Sequence, residues 1–398
     1  MIFRFRGYSL DLDRRELRCN AGLIDIGPQV FDLLVYLIRN RDRVVSKDDL
    51  LDAVWEGRIV SESTLTSRIN AARRAIGDTG ADQALIKTIA RKGFRFIGEV
   101  EESTKSLPQA SPVGIEEAAK GLRQEIQFCT APDGARIAYA VVGKGPPLVK
   151  TANWLNHLEY DWQSPVWGHV LRAFAARYRL IRYDERGNGL SDWDVGDISF
   201  EAFVRDLESV VDAVGLERFP LFGISQGCAV SIAYAVRHPE RVSKLVLYGG
   251  YTRGRRRRGQ EGADQADALL TLMRQGWGQD NPAFRQIYTS LFVPDGTAEQ
   301  VHWFNDLQRM TTSPENAVRI RRTLDELDVS RLLPSVRVPT LVLHCRNDAV
   351  QPFEEGRRMA AGITGSRFVA LEGNNHLILE HEPAWARLLD EVTRFLDS

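Results

Sequence analysis

The chain has 398 residues, of which 43% are hydrophobic and 26% charged, and its formal net charge is −1. This composition excludes a largely disordered chain, and the length predicts two domains or one large one. No apolar run is long enough to span a membrane, and residues 1–6 lack the apolar core of a signal peptide, so the sequence predicts a cytoplasmic protein without a membrane partner. The four cysteines lie far apart, and neither a metal nor a cofactor is predicted.

The first hundred residues are predicted to form a small antiparallel sheet, three helices and a β-hairpin. Short alternating apolar pieces within residues 1–26 favour the sheet. Apolar residues recur at helical spacing in three later segments, which begin at Gln29, at the cap Ser46 and near Ser61 or Ser63. Two short strands follow and are joined by the basic turn Ala90-Arg91-Lys92-Gly93.

Positive charge is concentrated in the same region. Residues 58–95 contain 8 basic and 3 acidic side chains, although the whole chain is almost neutral. In the third helix Leu65, Ile69, Ala72 and Ile76 fall on one stripe, which leaves polar residues on the other faces. A local basic surface is a modest hint of a polyanionic partner and is more often a solvated face.

Taken together, these elements resemble the winged helix-turn-helix domain of the OmpR/PhoB response-regulator class. In that class the third helix enters the major groove and the wing touches the DNA backbone or minor groove. Arg and Lys there can neutralise phosphates, whereas Asn70 or Ser67 could read base edges. The matching stretches are residues 31–37, 45–51, 54–55 and 88–96. The candidate DNA contacts are Ser63, Ser67, Arg68, Asn70, Ala71, Arg73, Arg74, Thr88, Arg91 and Lys92.

A linker is predicted between this domain, residues 1–100, and the rest of the chain. Residues 101–124 carry two prolines and few large apolar groups, which is typical of a linker. The winged helix is expected to begin at residue 1 without a phosphoacceptor domain before it, so the input signal is expected to arrive by another route.

Beyond the linker, residues 125–398 alternate strands with helices, which predicts a mainly parallel sheet with ligands bound beyond the carboxyl ends of its strands. The segment Phe222–Cys228 contains a serine between two glycines, directly after an apolar strand and before a helical pattern. Ser225 would therefore lie on a sharp strand-to-helix turn that exposes its hydroxyl. A serine nucleophile needs a base and a group that orients the base. Asp348 and His376 follow two later strands in the required chain order.

At this point the C-terminal region resembles the α/β-hydrolase family, whose members carry a Ser-His-Asp triad. The resemblance implies Ser225 as nucleophile, His376 as base and Asp348 as its orienting carboxylate. It also implies an oxyanion hole with one backbone N–H from Gln226 and a second from Asn153 or Trp154, although the loop at residues 150–156 lacks the common His-Gly. The segment from about 251 to 334 resembles the helical cap of the family.

Two charged motifs receive structural explanations. Asp184 and Arg186 lie in a D-x-R-G-x-G-x-S turn found in many α/β-hydrolases, and we expect them to pair and hold this loop. The five arginines between Arg253 and Arg258 are expected to lie on a solvated surface.

Three hypotheses fit these observations. The first is a one-component transcriptional regulator whose α/β-hydrolase domain senses, and could also hydrolyse, a small apolar ester- or lactone-like ligand. The second is primarily a serine esterase or lactonase with an N-terminal protein-interaction domain. The third is a regulator with a non-catalytic receptor domain. The predicted partners are double-stranded DNA and a small apolar ligand or substrate, and a homodimer is possible.

Overall fold

The computed structural model describes residues 2–12, 16–19, 22–24, 26–55, 62–79, 82–89, 92–103, 121–279, 281 and 283–398. The chain divides into two compact units, Met1–Gln109 and Ala110–Ser398, and each has its own hydrophobic core. Within these described ranges, no helix combines the length and the apolar character that a membrane span requires.

The N-terminal unit combines a small antiparallel sheet with a separate hairpin. Its strands are β1 (Ile2–Phe5), β2 (Tyr8–Asp11), β3 (Glu16–Cys19), β4 (Gly22–Ile24), β5 (Ile86–Ile89), β6 (Gly93–Phe96) and β7 (Glu101–Ser103). The sheet has the order β4-β3-β2-β1-β7, and β5 pairs with β6 in a two-stranded sheet.

Strand β7 corrects the predicted start of the linker. The sequence predicts a linker that starts at residue 101, but Glu101 pairs with Arg4 and Ser103 with Ile2 in an antiparallel ladder. Pairing satisfies the main-chain N–H and C=O groups that β1 would otherwise present at an open sheet edge. The remaining linker prediction lies mostly outside the described residues.

Three helices complete this unit: α1 (Pro28–Arg39), α2 (Lys47–Trp55) and α3 (Glu62–Ala75). Ser46 caps α2, because its hydroxyl accepts a hydrogen bond from the Asp49 amide at 3.0 Å and the Asp49 carboxylate accepts one from the Ser46 amide at 3.2 Å. The apolar stripe predicted for α3 is buried in the core, with each member at most 2% exposed: Leu65, Ile69, Ala72 and Ile76.

The hairpin is held against the helices at Gly93. This residue has a φ of 135°, and a Cβ atom there would lie only 1.9 Å from the carbonyl oxygen of Val45. Glycine is therefore needed both for the backbone conformation and for the close approach. The adjacent Phe94 exchanges two backbone hydrogen bonds with Val45.

The C-terminal unit is built on an eight-stranded sheet with the order β15-β14-β13-β12-β10-β11-β9-β8. The pairs from β15 to β11 are parallel, whereas β9 and β8 are antiparallel additions at one edge. The parallel strands therefore end at one common edge. The bounds are β8 (Glu125–Thr130), β9 (Arg136–Val142), β10 (Pro147–Lys150), β11 (Arg179–Tyr183), β12 (Phe219–Ile224), β13 (Val242–Tyr248), β14 (Thr340–Cys345) and β15 (Arg367–Leu371).

Helices connect these strands, and four of them lie between β13 and β14 within the segment predicted as a cap. The helices outside the cap are α4 (Leu158–Trp162), α5 (Gly168–Ala175), α6 (Phe200–Ala213), α7 (Gly227–Arg237) and α12 (Phe353–Gly362), together with α13 (Pro383–Asp397), which follows the last strand. The cap helices are α8 (Gln260–Gly276), α9 (Ala283–Phe292), α10 (Ala298–Thr311) and α11 (Pro314–Glu326).

The loop after β11 is held by two separate charged networks, so the predicted pairing of Asp184 with Arg186 is wrong. Arg186 is fully buried and pairs with Asp206 on α6 at 2.7 Å. Asp184 instead accepts hydrogen bonds from the amides of Leu158 and Leu190, at 3.1 and 2.9 Å. Both residues hold the loop, but each with its own partners.

The arginine run before the cap is not the solvated surface that the sequence predicted. The Arg255 side chain is only 12% exposed, and Arg258 is partly buried over the ring of Tyr251. Arg257 is the exposed member of the run, at 54%. Charged side chains are buried here because the segment passes beneath the cap helices α8 and α11.

Candidate active site and DNA-contact face

Ser225 lies on the turn between β12 and α7. Its φ of 53° is unusual for a residue other than glycine and marks a sharp change of chain direction. The flanking glycines permit close packing, because a Cβ atom at Gly223 would lie 2.8 Å from the carbonyl oxygen of Gly227. A Cβ atom at Gly227 would lie 2.7 Å from the carbonyl oxygen of Ala152.

Asp348 and His376 meet beside this turn. Nδ1 of His376 lies 2.6 Å from Oδ2 of Asp348. The amide of Ser225 donates to the carbonyl of Tyr248, the residue before Gly249. A Cβ atom at Gly249 would lie 3.3 Å from His376 Cε1 and 3.7 Å from the Asp348 carboxylate, so these two residues lie beside the strand end to which the Ser225 amide is bonded.

The carboxylate of Asp348 is held in its ionised form. Its Oδ1 atom accepts hydrogen bonds from the amides of Val350 and Gln351, at 2.8 and 2.9 Å. Burial acts to raise the pKa of Asp348, but the charge and hydrogen bond of His376 outweigh it and hold this pKa below its usual value. A second histidine, His344, lies 3.7 Å from the same carboxylate.

The other ring nitrogen of His376 is available as a base. Nε2 is buried and has no hydrogen-bond partner among the described residues. Because Nδ1 faces the carboxylate, the lone pair of a neutral imidazole lies on Nε2. The ring packs edge-on against Phe292 of the cap, with the ring centroids 5.5 Å apart, so this side of the site is apolar.

The candidate oxyanion donors are arranged differently from the sequence prediction. Gln226 lies at the N-terminus of α7, which is suited to stabilise a negative charge. The Trp154 amide, however, donates to the side-chain Oε1 of Gln226 at 2.5 Å. Nε2 of Gln226 in turn donates to Glu185 at 2.6 Å. The Trp154 N–H is therefore occupied in this conformation and can reach an oxyanion only if the Gln226 side chain moves.

Asn153 contributes to holding the same loop. Its side-chain oxygen accepts a hydrogen bond from Nζ of Lys150 at 2.5 Å. Burial lowers the pKa of Lys150 to about 8, and this ammonium lies over the ring of Trp167. Polar contacts thus shape the loop in which the family commonly has His-Gly. The sequence analysis did not identify Glu185 and Lys150 as residues of the site. The pattern that could have identified them is a charged residue at, or just after, the end of an apolar strand.

These residues can carry out acyl transfer if Ser225 is the nucleophile. His376 would take the serine proton, and Asp348 would stabilise the resulting imidazolium. The helix terminus at Gln226 provides one backbone N–H for the oxyanion. Among the described residues, no group of three or more His, Cys, Asp and Glu side chains has the arrangement of a metal site.

On the N-terminal unit, several candidate DNA contacts share the exposed face of α3. Ser67, Arg68, Asn70 and Arg74 are exposed, whereas Ala71 is partly buried. Nε of Arg68 donates to the side chain of Gln29 at 3.0 Å. On the hairpin, Thr88 and Lys92 are exposed. The side chain of Ser63 and all of Arg91 lie outside the described residues.

Arg73 does not fit the predicted role as a phosphate contact. It is only 5% exposed. Its guanidinium donates to the carbonyl of Ile86 at 2.7 Å and to the hydroxyl of Thr88 at 2.8 Å. Its charge therefore joins α3 to the hairpin inside the unit, and Arg74 is the exposed arginine beside it.

Comparisons with known proteins agree with both predicted resemblances. The family model described as "Transcriptional regulatory protein, C terminal" matches residues 21–96, and the model described as "alpha/beta hydrolase fold" matches residues 160–383. The predicted fold class, a winged helix followed by an α/β-hydrolase fold, is confirmed.

Relatives of the C-terminal unit include several hydrolases. The AB hydrolase superfamily protein YisY of Bacillus subtilis is 26% identical over 249 residues, which are 59% of this chain and 86% of that protein. The 2-hydroxy-6-oxononadienedioate/2-hydroxy-6-oxononatrienedioate hydrolase of Escherichia coli is 28% identical over 293 residues, 70% of this chain and 93% of that protein. The esterase structure from Exiguobacterium antarcticum has a TM-score of 0.57 at 25% identity and covers 68% of this chain and 99% of that one.

The ionisation of Glu185 should make the C-terminal unit less stable as pH rises. Burial, opposed by the Gln226 hydrogen bond and assisted by the charges of Asp206 and Asp184, raises the pKa of Glu185 to about 8. The folded state then binds this proton more tightly than the unfolded state does. The resulting stabilisation of the folded state is fully present below about 4.5, the pKa of Glu185 in the unfolded chain. It is lost as pH rises through the pKa of Glu185 in the folded protein, about 8.

Chemical unfolding of wild type and Glu185→Gln checks this at several pH values. We expect the wild-type free energy of unfolding to fall relative to the variant by on the order of 3 kcal/mol between about pH 5 and about pH 8. If the difference in free energy of unfolding between wild type and Glu185→Gln does not change over this pH range, folding does not raise the pKa of Glu185.

Arg74 and Arg73 should respond differently to substitution. Arg74→Ala should weaken binding to duplexes of any sequence and lower the slope of log affinity against log salt by about 1, because an exposed cation that meets a phosphate releases a counterion. Arg73→Ala should mainly destabilise the N-terminal unit, because it leaves the Ile86 carbonyl without its buried donor.

Salt-dependent duplex titrations and thermal unfolding of both variants separate the two roles. The matched control is Arg39→Ala at the end of α1, a basic residue that is not among the candidate contacts. An unchanged salt slope for Arg74→Ala would remove Arg74 from the interface.

Proposed function

Because the chain belongs to the α/β-hydrolase fold family and carries the DNA-binding domain of transcriptional regulatory proteins, we propose that it is a one-component transcriptional regulator. In this proposal the C-terminal unit binds a small, largely apolar ester- or lactone-like ligand and hydrolyses it slowly. The bound ligand changes the affinity of the N-terminal unit for double-stranded DNA.

The observation that carries the catalytic part is the contact of His376 with Asp348 at 2.6 Å beside the turn that holds Ser225. A protein that only needed a ligand pocket would gain nothing from a buried histidine whose second nitrogen has no partner among the described residues. An arrangement of this kind supports proton transfer from a nucleophile.

In the proposed reaction, Oγ of Ser225 forms a bond to the ester carbonyl carbon while His376 Nε2 takes its proton. The same proton passes to the departing alcohol when the carbon–oxygen bond breaks, which leaves an acyl-serine. Water then repeats the steps and releases the acid. With the Trp154 amide bonded to Gln226, the oxyanion has fewer donors, which supports slow turnover.

The esterase alternative remains a second candidate, in which the winged helix serves only for protein contact. Specific and salt-sensitive duplex binding favours the regulator. Selection of bound fragments from genomic DNA would identify a duplex that the protein recognises. A screen of esters and lactones on the complex of the protein with that labelled duplex would then identify compounds that change the anisotropy of the label. Failure to select any sequence above background would favour the esterase.

The nucleophile can be tested with a fluorophosphonate probe. Wild type should be labelled at Ser225, and Ser225→Ala, His376→Ala and Asp348→Ala should each reduce ester turnover by several orders of magnitude, because the three residues act as a unit. Ser209→Ala is the matched control, since the hydroxyl of Ser209 donates to the carbonyl of Arg205 within its own helix α6. Equal labelling of Ser225→Ala and wild type would exclude Ser225 as the nucleophile.

A further inference from the structure

Among the described residues, two arginines beneath the cap, Arg255 and Arg258, make no hydrogen bond to a carboxylate. The side chain of Arg255 is 12% exposed, and its Nη1 atom has no hydrogen-bond partner within the described part of the chain. Its contacts are Oδ1 of Asp325, 3.8 Å away, and the carbonyl of Val350, 3.4 Å from Nη2. Within the same described ranges, Arg258 donates only to uncharged oxygens, those of the Arg253 carbonyl and the Gln351 side chain, both at 2.7 Å.

The nearby carboxylates are already engaged by other cations. Asp325 forms a two-point pair with the buried Arg321, with Nε to Oδ2 at 3.0 Å. Glu355 lies 3.4 Å from the guanidinium of Arg253 and 3.6 Å from that of Arg358. The region beneath the cap therefore holds more buried positive than negative charge.

Buried charge without a counter-charge is unfavourable, and such groups are often kept because a ligand completes them. Burial, reinforced by the neighbouring Arg321, lowers the pKa of Arg255 to about 10. The guanidinium nevertheless stays protonated near neutral pH. An anionic group that enters this region would meet a desolvated cation with a free N–H.

Two chains of contacts connect the cation-rich region with residues of the proposed reaction centre. Val350, whose carbonyl contacts Arg255, donates its amide to the carboxylate of Asp348. On the other side, the hydroxyl of Tyr288 accepts a hydrogen bond from Nε1 of Trp154 in the oxyanion loop. Tyr288 is buried close enough to Arg255 for that cation to influence its hydroxyl. Arg255 therefore contacts the loop of Asp348 and lies near a cap residue that touches the oxyanion loop.

We propose that Arg255 and Arg258 bind a carboxylate of the ligand, so that the ligand is an ester or lactone with an otherwise apolar acyl chain that ends in a carboxylate. This inference rests on the proposed function and adds a charged group to its ligand. A guanidinium fork matches the two oxygens of a carboxylate and gives strong, directional hydrogen bonds. The cap aromatics would contact the apolar part of the chain.

Matched substrates test the proposal. The mono-para-nitrophenyl esters of succinic, glutaric and adipic acids are compared with the para-nitrophenyl esters of butanoic, pentanoic and hexanoic acids, which have the same carbon number but no charge. For at least one pair of equal carbon number, wild type should have a higher kcat/KM for the charged ester than for the neutral ester. In Arg255→Gln and Arg258→Gln, the ratio of charged to neutral kcat/KM should fall by roughly 10- to 100-fold, the typical effect of a hydrogen bond to a charged group.

Arg257→Gln is the matched control, because Arg257 lies on the same short 3-10 turn as Arg255 but is 54% exposed and pairs with Glu326. Its selectivity ratio should equal that of wild type. A charged-to-neutral ratio that is unchanged in both Arg255→Gln and Arg258→Gln, or that falls equally in Arg257→Gln, would overturn the proposal.

Ligand binding and stability give readouts that do not depend on turnover. Monomethyl glutarate should raise the thermal midpoint of Ser225→Ala protein more than methyl pentanoate does, and Arg255→Gln should abolish this difference. Without ligand, Arg255→Gln should be at least as stable as wild type, because it removes an uncompensated buried charge. Marked destabilisation would mean that Arg255 is structural and would contradict the proposal.

The two proposals fail in distinguishable ways. If neither ester series is hydrolysed but monomethyl glutarate binds through Arg255, the carboxylate site stands and hydrolysis fails. If both series are hydrolysed with equal kcat/KM, hydrolysis stands and the carboxylate site fails.

Discussion

The hydrogen bond between His376 and Asp348 is the contact on which the candidate active site depends. It can form because β14 and β15 are adjacent parallel strands, with Cys345 paired to Leu371 at their ends. The loops that follow therefore leave the sheet side by side. β13 lies next to β14, and its end at Gly249 has no Cβ atom, which leaves room for the imidazole and the carboxylate. Sheet register thus brings together residues that are far apart in the sequence.

Around this contact, the chain buries more charge than folding alone would favour. Glu185 and Lys150 lie behind the oxyanion loop, and Arg255 lies beneath the cap; burial shifts the pKa of each of them towards its neutral form. Buried charged side chains with shifted pKa values, clustered at one edge of a sheet, are typical of binding and catalytic sites. All three residues adjoin the carboxyl ends of parallel strands or the cap above them, where an α/β sheet binds its ligands.

Patterns within short segments predicted much of the fold. Two of these patterns, the apolar stripe of α3 and the turn at Ser225, depend on the spacing of nearby residues. The third is the order of Ser225, Asp348 and His376 along the chain. All three can be read from the sequence without knowing which elements pack together. Side-chain pairing was predicted less well, because it depends on which elements become neighbours. Arg186 binds Asp206, and Arg73 turns inward to the hairpin, since buried guanidinium groups require oxygen acceptors that only the tertiary structure supplies.

The central claim is that the two units share a signal, and reciprocal linkage tests it most directly. A ligand that changes DNA affinity must itself be bound with an affinity that DNA changes by the same factor. Ser225→Ala protein, which should keep its ligand intact, allows both affinities to be measured: duplex affinity with and without saturating ligand, and ligand affinity with and without saturating duplex. We expect both ratios to agree, at about 5- to 150-fold. If ligand does not change duplex affinity and duplex does not change ligand affinity, the account is contradicted and the two units act independently.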